Sequence, residues 1–171
     1  MNPIAAQIPV LTTERLVLRA PTRADFEPYA ETLMSDRSKY MDGPFDRKKA
    51  WASFASDAAS WLFDGFGYWS VTSRKDEFLG LLGLAKPKIF PEVEMGWALQ
   101  AEAEGKGIAF EAAQAARDWA FANLKLESFV SYVDPLNVRS CALAERLGAT
   151  PDPDAARPWP EDVVYRHRRP V

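Results

Sequence analysis

Gly105, Lys106 and Gly107 stand between a strand-like stretch and an alanine-rich one, and that order can make an anion site. Glu92 to Leu99 alternates well enough for a strand, a polar turn follows, and the residues after Gly107 read as a long helix. The first backbone N–H groups of a helix have no partner within it, and they carry the positive end of its dipole. Glycines let a phosphate approach those N–H groups with no Cβ in the way. Ala109, Ala112, Ala113, Ala116 and Ala120 keep the helix slim enough to lie close on a sheet. This spacing therefore suits a phosphate-bearing ligand. A helix that simply starts at a glycine-rich turn is the alternative reading of the same residues. Two phosphate motifs are excluded. A P-loop would need Ser or Thr after Lys106, where Gly107 stands, and a Gly five residues before Gly105. A dinucleotide fingerprint would place its third Gly at Phe110.

What remains is E-x-x-G-x-A, from Glu104 to Ala109. It resembles the acyl-CoA pyrophosphate loop of the GNAT N-acetyltransferase superfamily, usually [QR]-x-x-G-x-[GA]. Glu104 departs from that pattern, and a carboxylate beside a pyrophosphate is unfavourable unless it points away. The backbone donors of the loop do not depend on that side chain.

A second constellation runs from Val133 to Gly148, with the pattern V-x-P-x-N-x-x-S-x-x-x-x-E-x-L-G. It resembles the strand, turn and helix that follow the cofactor loop in GNAT enzymes. The likeness is nearest the branch that acetylates ribosomal-protein N-termini. T-E-R-L-x-L-R at Thr13 to Arg19 and E-x-G-W at Glu94 to Trp97 look like the same branch. The resemblance covers most of the chain and is thinnest from Pro151 onward. It implies acetyl-CoA as co-substrate and a splayed pair of parallel strands, Glu92–Leu99 and Leu126–Val133, with pantetheine in the gap. Trp97, Ala98 and Leu99 would face the pantetheine, and Gly105, Lys106, Gly107, Ile108 and Ala109 the pyrophosphate. Asn137 would contact the cofactor arm and Ser140 would lie near the thiol sulfur. Read without the resemblance, Asn137 is a good helix N-cap and Ser140 a surface residue.

The implied reaction is direct attack of an amine on a thioester in a ternary complex. An amine must lose a proton before it can attack, and a carboxylate can take that proton directly or through water. Glu94, on the strand expected to line the cleft, is the candidate base, and the other reading is a solvated strand residue. Ser140 is the candidate donor to the departing thiolate. A backbone N–H near Trp97 to Leu99 would hold the oxyanion. A primary amine is the expected acceptor, either a peptide N-terminus or a small amine. Glu92, Glu94, Asp134, Asp152 and Asp154 are the expected acids around it, with Trp159 and Tyr40 shaping the entrance. A non-catalytic acyl-CoA-binding or sensing domain of the same fold is the alternative. A nucleotide-dependent oxidoreductase lacks its glycine fingerprint.

Composition bounds these readings. The chain has 171 residues, 47% hydrophobic and 26% charged, which suits a single globular domain over 1–171. The net charge of −3 argues against nucleic acid and anionic membranes as partners. Cys141 is the one cysteine and His167 the one histidine, so neither an internal disulfide nor a metal site is expected. Cys141 reads as an inert small residue, and His167, among arginines, as part of a solvated end. No apolar run reaches a membrane span, and the N-terminal residues lack a secretory pattern, so the expected place is the cytoplasm. A monomer or homodimer is expected.

The remaining elements must position these groups. Strands are expected at Thr13–Arg19, Tyr68–Thr72, Phe78–Ala85, Glu92–Leu99, Leu126–Val133 and Asp162–His167. Helices are expected after Thr22, after Asp46, after Gly107 and after Asn137, each of the first two begun by a capping residue. The second helix should bury Trp51, Phe54, Ala58, Trp61 and Leu62. Gly80 and Gly83 suggest a bulge or close packing in their strand. Pro151 to Pro160 is expected to be a loop. The order gives an α+β fold, with a mixed, mostly antiparallel sheet flanked by helices.

Overall fold

The computed structural model describes residues 7–170. Residues 1–6, part of the stretch without a secretory pattern, lie outside the described residues.

Eight strands form one sheet in the order β1-β2-β3-β4-β5-β6-β8-β7. Their ranges are β1 Leu11–Thr12, β2 Leu16–Arg19, β3 Tyr68–Ser73, β4 Phe78–Ala85, β5 Glu94–Leu99, β6 Ser128–Val133, β7 Thr150–Pro151 and β8 Val163–Arg168. All neighbours are antiparallel except β5 and β6, which run parallel. The helices are α1 Phe26–Leu33, α2 Arg47–Asp64, α3 Ile108–Asn123 and α4 Val138–Arg146. The α+β reading and its single parallel crossover through the alanine-rich helix hold.

The local reasons are visible in the side chains. Asp46 accepts from the Lys49 N–H at 2.7 Å and starts α2, which ends at Gly65 in the left-handed region. Ala112, Ala113, Ala116 and Ala120 are fully buried and let α3 lie against the sheet. Around them pack Trp69, Leu82, Leu84, Met95 and Phe129, all fully buried. A second cluster, Phe26, Tyr29, Leu33, Ala50, Phe54 and Leu81, fixes α1 and α2 on the other part of the sheet.

Several expectations are corrected. Thr13 to Arg19 is not one strand, because Thr13 and Arg15 turn aside to bond Glu111 of α3. The Thr13 hydroxyl donates to it at 2.5 Å and the Arg15 N–H at 2.9 Å. The buried stripe of α2 is Ala50, Phe54 and Trp61, while Trp51 and Leu62 are exposed. The buried face keeps Phe54 and Trp61 but turns toward Ala50 rather than Trp51 and Leu62. Pro151 belongs to the short strand β7, where it sits at the sheet edge and needs no N–H for the ladder. His167 is not solvated but 2% exposed, since β8 lies between β6 and β7 and its ring stacks on Phe129 at 4.8 Å.

The two glycines of β4 do mark close packing. A Cβ on Gly80 would lie 2.4 Å from the Ala98 carbonyl oxygen, and one on Gly83 2.3 Å from that of Gly67. The pairing of β3 with β4 shifts register between Val71 and Thr72, opposite Gly80. Gly83→Ala is expected to cost about 1–3 kcal/mol by overpacking against backbone that cannot yield. Thermal unfolding should show a fall of several degrees in Tm.

Candidate active site

The site begins where β5 and β6 part. Their pairing is confined to Glu94 opposite Val130, with the Val130 N–H donating to the Val93 carbonyl at 3.0 Å. One step further, a side chain replaces the ladder: the Ser131 hydroxyl donates to the Met95 carbonyl at 2.7 Å. The hydroxyl oxygen is also 3.1 Å from His167 Nε2. Because Ser131 gives its proton to Met95, His167 donates from Nε2. Burial lowers the His167 pKa to about 4, so the ring stays neutral. Val93 and Met95 direct their carbonyls toward β6, so strand alternation turns the peptide groups of Trp97 and Leu99 to the same side, where β6 has moved away. This is the edge expected to pair with pantetheine.

A groove of about 780 Å³ opens on that edge. Trp97, Ala98, Leu99, Gly105, Gly107, Ile108, Ala109 and Asn137 all line it. Lys106, the ninth residue expected there, is exposed and absent from the lining, although its carbonyl holds Arg15 Nη1 at 2.9 Å. Gly107 is the N-cap of α3 at φ 75°, and Gly105 has φ 70°. A Cβ on Gly105 would meet nothing within 4 Å, and one on Gly107 only Arg15 Nη2 at 3.4 Å, so the loop is open to a ligand. An open glycine loop, the N-terminus of a 16-residue helix and a strand edge that β6 has left, its Leu99 carbonyl accepting from Arg37 Nη2 at 3.1 Å, fit a phosphate, its helix site and an amide-bearing arm. Glu104 is held by two arginines of the same groove, Arg37 at 2.6 Å and Arg139. Its charge is thereby compensated, which answers the departure noted in the sequence.

A second cavity, of about 340 Å³, lies on the inner side of the splay. It is walled by α1 and α2 on one side and by Trp159, Glu161 and Asp162 on the other. Glu94 lines it and is 9% exposed. The Tyr68 hydroxyl donates to Glu94 Oε2 over a long 3.5 Å. A Cβ on Gly96 would fall 2.2 Å from that hydroxyl and 3.0 Å from Glu94 Oε1, so glycine there leaves room for both groups. Burial, with the field of Asp57 second, raises the Glu94 pKa to about 8. Burial raises Asp57, on α2, to about 7. Asp162 is raised to about 6, by burial first and then by Asp134.

Trp97, Ala98, Asn137 and Ser140 line both spaces and mark their junction. Trp97 Nε1 donates to Ser140 Oγ at 3.1 Å, which leaves the Ser140 hydroxyl proton free to donate elsewhere. Asn137 is the N-cap of α4, its side chain accepting from the Ser140 N–H at 3.3 Å. The capping reading of Asn137 therefore holds alongside its place in the groove.

The acidic set differs from the one expected. Glu92 and Asp152 both pair with Arg166, at 2.8 and 2.5 Å, and neither lines the cavity; nor does Asp154. Of the expected five only Glu94 and Asp134 line it, joined by Asp42, Asp57, Glu161 and Asp162. Tyr40 and Trp159 are in the lining, with Trp159 set edge-on to Phe90 at 5.7 Å. Sequence reasoning missed Asp57, Tyr68, Arg37 and Arg139. Asp57 did leave a signal: it stands three residues after Phe54 and four before Trp61, a carboxylate near the buried stripe of a helix. Cys141 is half-buried, with its Sγ 3.9 Å from the Asp134 carbonyl oxygen. Among the described residues no group of His, Cys, Asp and Glu is arranged to hold a metal, and no helix is long and apolar enough to cross a membrane.

Known proteins resemble this chain in fold or in sequence. An acetyltransferase from Agrobacterium tumefaciens is 46% identical, with 95% of each chain covered and a TM-score of 0.92. The uncharacterized protein YkkB of Bacillus subtilis is 27% identical over 93% of this chain and 95% of its own. A putative ribosomal-protein-serine acetyltransferase from Vibrio cholerae is 20% identical over 94% of this chain and 97% of that one, with a TM-score of 0.70, a likeness of fold. The family model of the acetyltransferase (GNAT) domain matches residues 15–150, ending where the sequence resemblance thins. With the splayed strands, the glycine loop and the two spaces that meet at Trp97, this match makes the chain a member of the GNAT acetyltransferase family.

Proposed function

We propose that the protein moves an acetyl group from acetyl-CoA to a primary amine by direct attack in a ternary complex, with Glu94 as base and Ser140 as acid. The observation that carries this reading is the meeting of a phosphate-suited groove and a buried acidic cavity at Trp97, Ala98, Asn137 and Ser140. The donor would lie in the groove with its phosphates on the N–H groups of Gly105 to Phe110, and the amine in the cavity. Glu94 takes the amine proton, directly or through one water. Its pKa of about 8 lies near that of an α-amine, about 8, and nearer to a lysine-type amine, about 10.4, than an ordinary carboxylate would be. Proton transfer is then close to balanced, the condition in which a general base is most effective. The Trp97 N–H faces the gap in which the thioester oxygen gains charge. Ser140, its oxygen already held by the Trp97 indole, gives its proton to the leaving thiolate.

A non-catalytic acyl-CoA sensor would have no use for a second cavity with a buried carboxylate at the junction, so the enzyme reading is favoured. The deciding experiment is CoA release with a panel of peptides, polyamines, aminoglycosides and amino acids. Release with amines supports the reading, and acetyl-CoA binding without release to any of them sinks it. Ser140→Ala is expected to lower kcat by about 100-fold, the low side of the usual general-acid contribution, with acetyl-CoA affinity unchanged. Cys141→Ser should keep full activity, since direct attack forms no acyl-enzyme; trapping of an acetylated Cys141 by mass spectrometry would count against direct attack.

A further inference from the structure

The inner cavity holds more negative charge than one general base requires. Asp42, Asp57, Glu94, Asp134, Glu161 and Asp162 line it, against a single cationic lining residue, Lys39. None of the six is in an ion pair among the described residues, whereas Glu92 and Asp152 just outside are both paired to Arg166. Glu94 is nine-tenths buried and aimed into this space, with one long hydrogen bond from Tyr68 and none to Oε1. Asp57 has no hydrogen-bond partner among the described residues. It is faced by Tyr29 from α1, Tyr68 from β3 and Glu94 from β5; burial raises the pKa of all three, and the charge of Asp57 adds to the rise. No cation comes from any of these elements. Holding a buried carboxylate, Glu94, and a half-buried one, Asp57, on one cavity with no ion pair to either is costly, and a ligand that brings the missing charge relieves it. Aromatic walls from Tyr29, Tyr40, Phe45 and Tyr68 suit a cation that must give up its water.

We infer that the acceptor carries two amine centres: the reacting one, which gives its proton to Glu94, and a second that stays protonated on Asp57. The inference rests on the acetyl-transfer reading and narrows its substrate class to a compact diamine. Glu94 and Asp57 then divide the work. Glu94 must be ionised and empty-handed to take a proton, and Asp57 supplies the fixed counter-charge that orients the rest of the molecule. A monoamine of equal length would leave Asp57 facing a methyl group, an unpaired charge that is half-buried.

The test compares a diamine with a four-carbon spacer against n-pentylamine, at about pH 9, where both carboxylates are ionised and most amine is still charged. The wild type should favour the diamine by about tenfold or more in kcat/KM. Asp57→Asn should remove that preference through KM for the diamine, with kcat little changed. Calorimetry of the diamine on the CoA-loaded protein gives a second readout that needs no turnover, and Asp57→Asn should weaken binding by a similar factor. Equal rates for the two amines, or a preference that survives Asp57→Asn, overturns the inference. Turnover of peptide N-termini with neither turnover nor binding of the diamine also overturns it, and leaves acetyl transfer standing. Diamine binding that depends on Asp57, without turnover of any amine, upholds the cation site and removes the acetyl-transfer reading instead.

Discussion

Glu94→Gln is expected to lower kcat by about 10²–10⁴-fold, the range of a positioned general base, with acetyl-CoA affinity unchanged. The amide keeps the shape and can still accept from Tyr68, but it cannot take a proton. In the wild type kcat/KM should rise with pH and be half-maximal at about 8, because only the ionised carboxylate is a base. In the variant that limb should vanish. Stability should move the other way. The folded-state pKa of Glu94 is raised, so between about 4.5 and 8 the native protein binds a proton that the unfolded chain has released. Stability therefore falls with rising pH through that window, by about 1.4 kcal/mol per unit while the difference is complete. Glutamine has no such term, so the variant should melt at a higher temperature than the wild type at about pH 8 and not below about pH 4. Stopped-flow CoA release and a pH series of melting curves check the two halves. A rate limb that persists in the variant would assign the base elsewhere.

Gly107→Val is expected to raise the Kd for acetyl-CoA by about 100-fold or more, equivalent to roughly 2.8 kcal/mol. Two costs combine. At φ 75° a β-branched residue is strained, and the loop would shift to relieve it. Its side chain would also stand where a phosphate has to reach the first N–H groups of α3. Gly148→Val separates these effects. Gly148 also has a positive φ, 83°, with nothing within 4 Å of an added Cβ, but it lies after α4 and outside the groove. That variant should lose stability and still bind acetyl-CoA like the wild type. Calorimetry on both decides, and tight binding by Gly107→Val would disprove the loop's role.

Much of the fold could be read from local pattern. Capping residues and helical periodicity announced α2, α3 and α4, and Asp46, Gly107 and Asn137 stand at their N-caps. The hairpin of β3 and β4 followed from β-branched and aromatic runs around a charged turn, and the glycines of β4 from the need for close approach. Errors fell where a distant partner decides. Thr13 and Arg15 leave the strand for Glu111, 98 and 96 residues away. His167 is buried because β8 inserts between β6 and β7, which no property of the sequence around His167 announces.

The same division holds for the site. The sequence by itself determined the phosphate-suited loop, because an anion site at a helix N-terminus is made of backbone, and glycine spacing is enough to expose it. Glu94 became a candidate through its place on the strand expected to line the cleft, and Ser140 only through the resemblance to GNAT enzymes. Only the tertiary structure decided which acids work together. Glu92 and Asp152 are neutralised by Arg166, while Asp57, on another helix and 37 residues from Glu94, shares its cavity. A carboxylate's pKa depends on burial and on charges within a few ångströms, and those distances are set by how the layers pack.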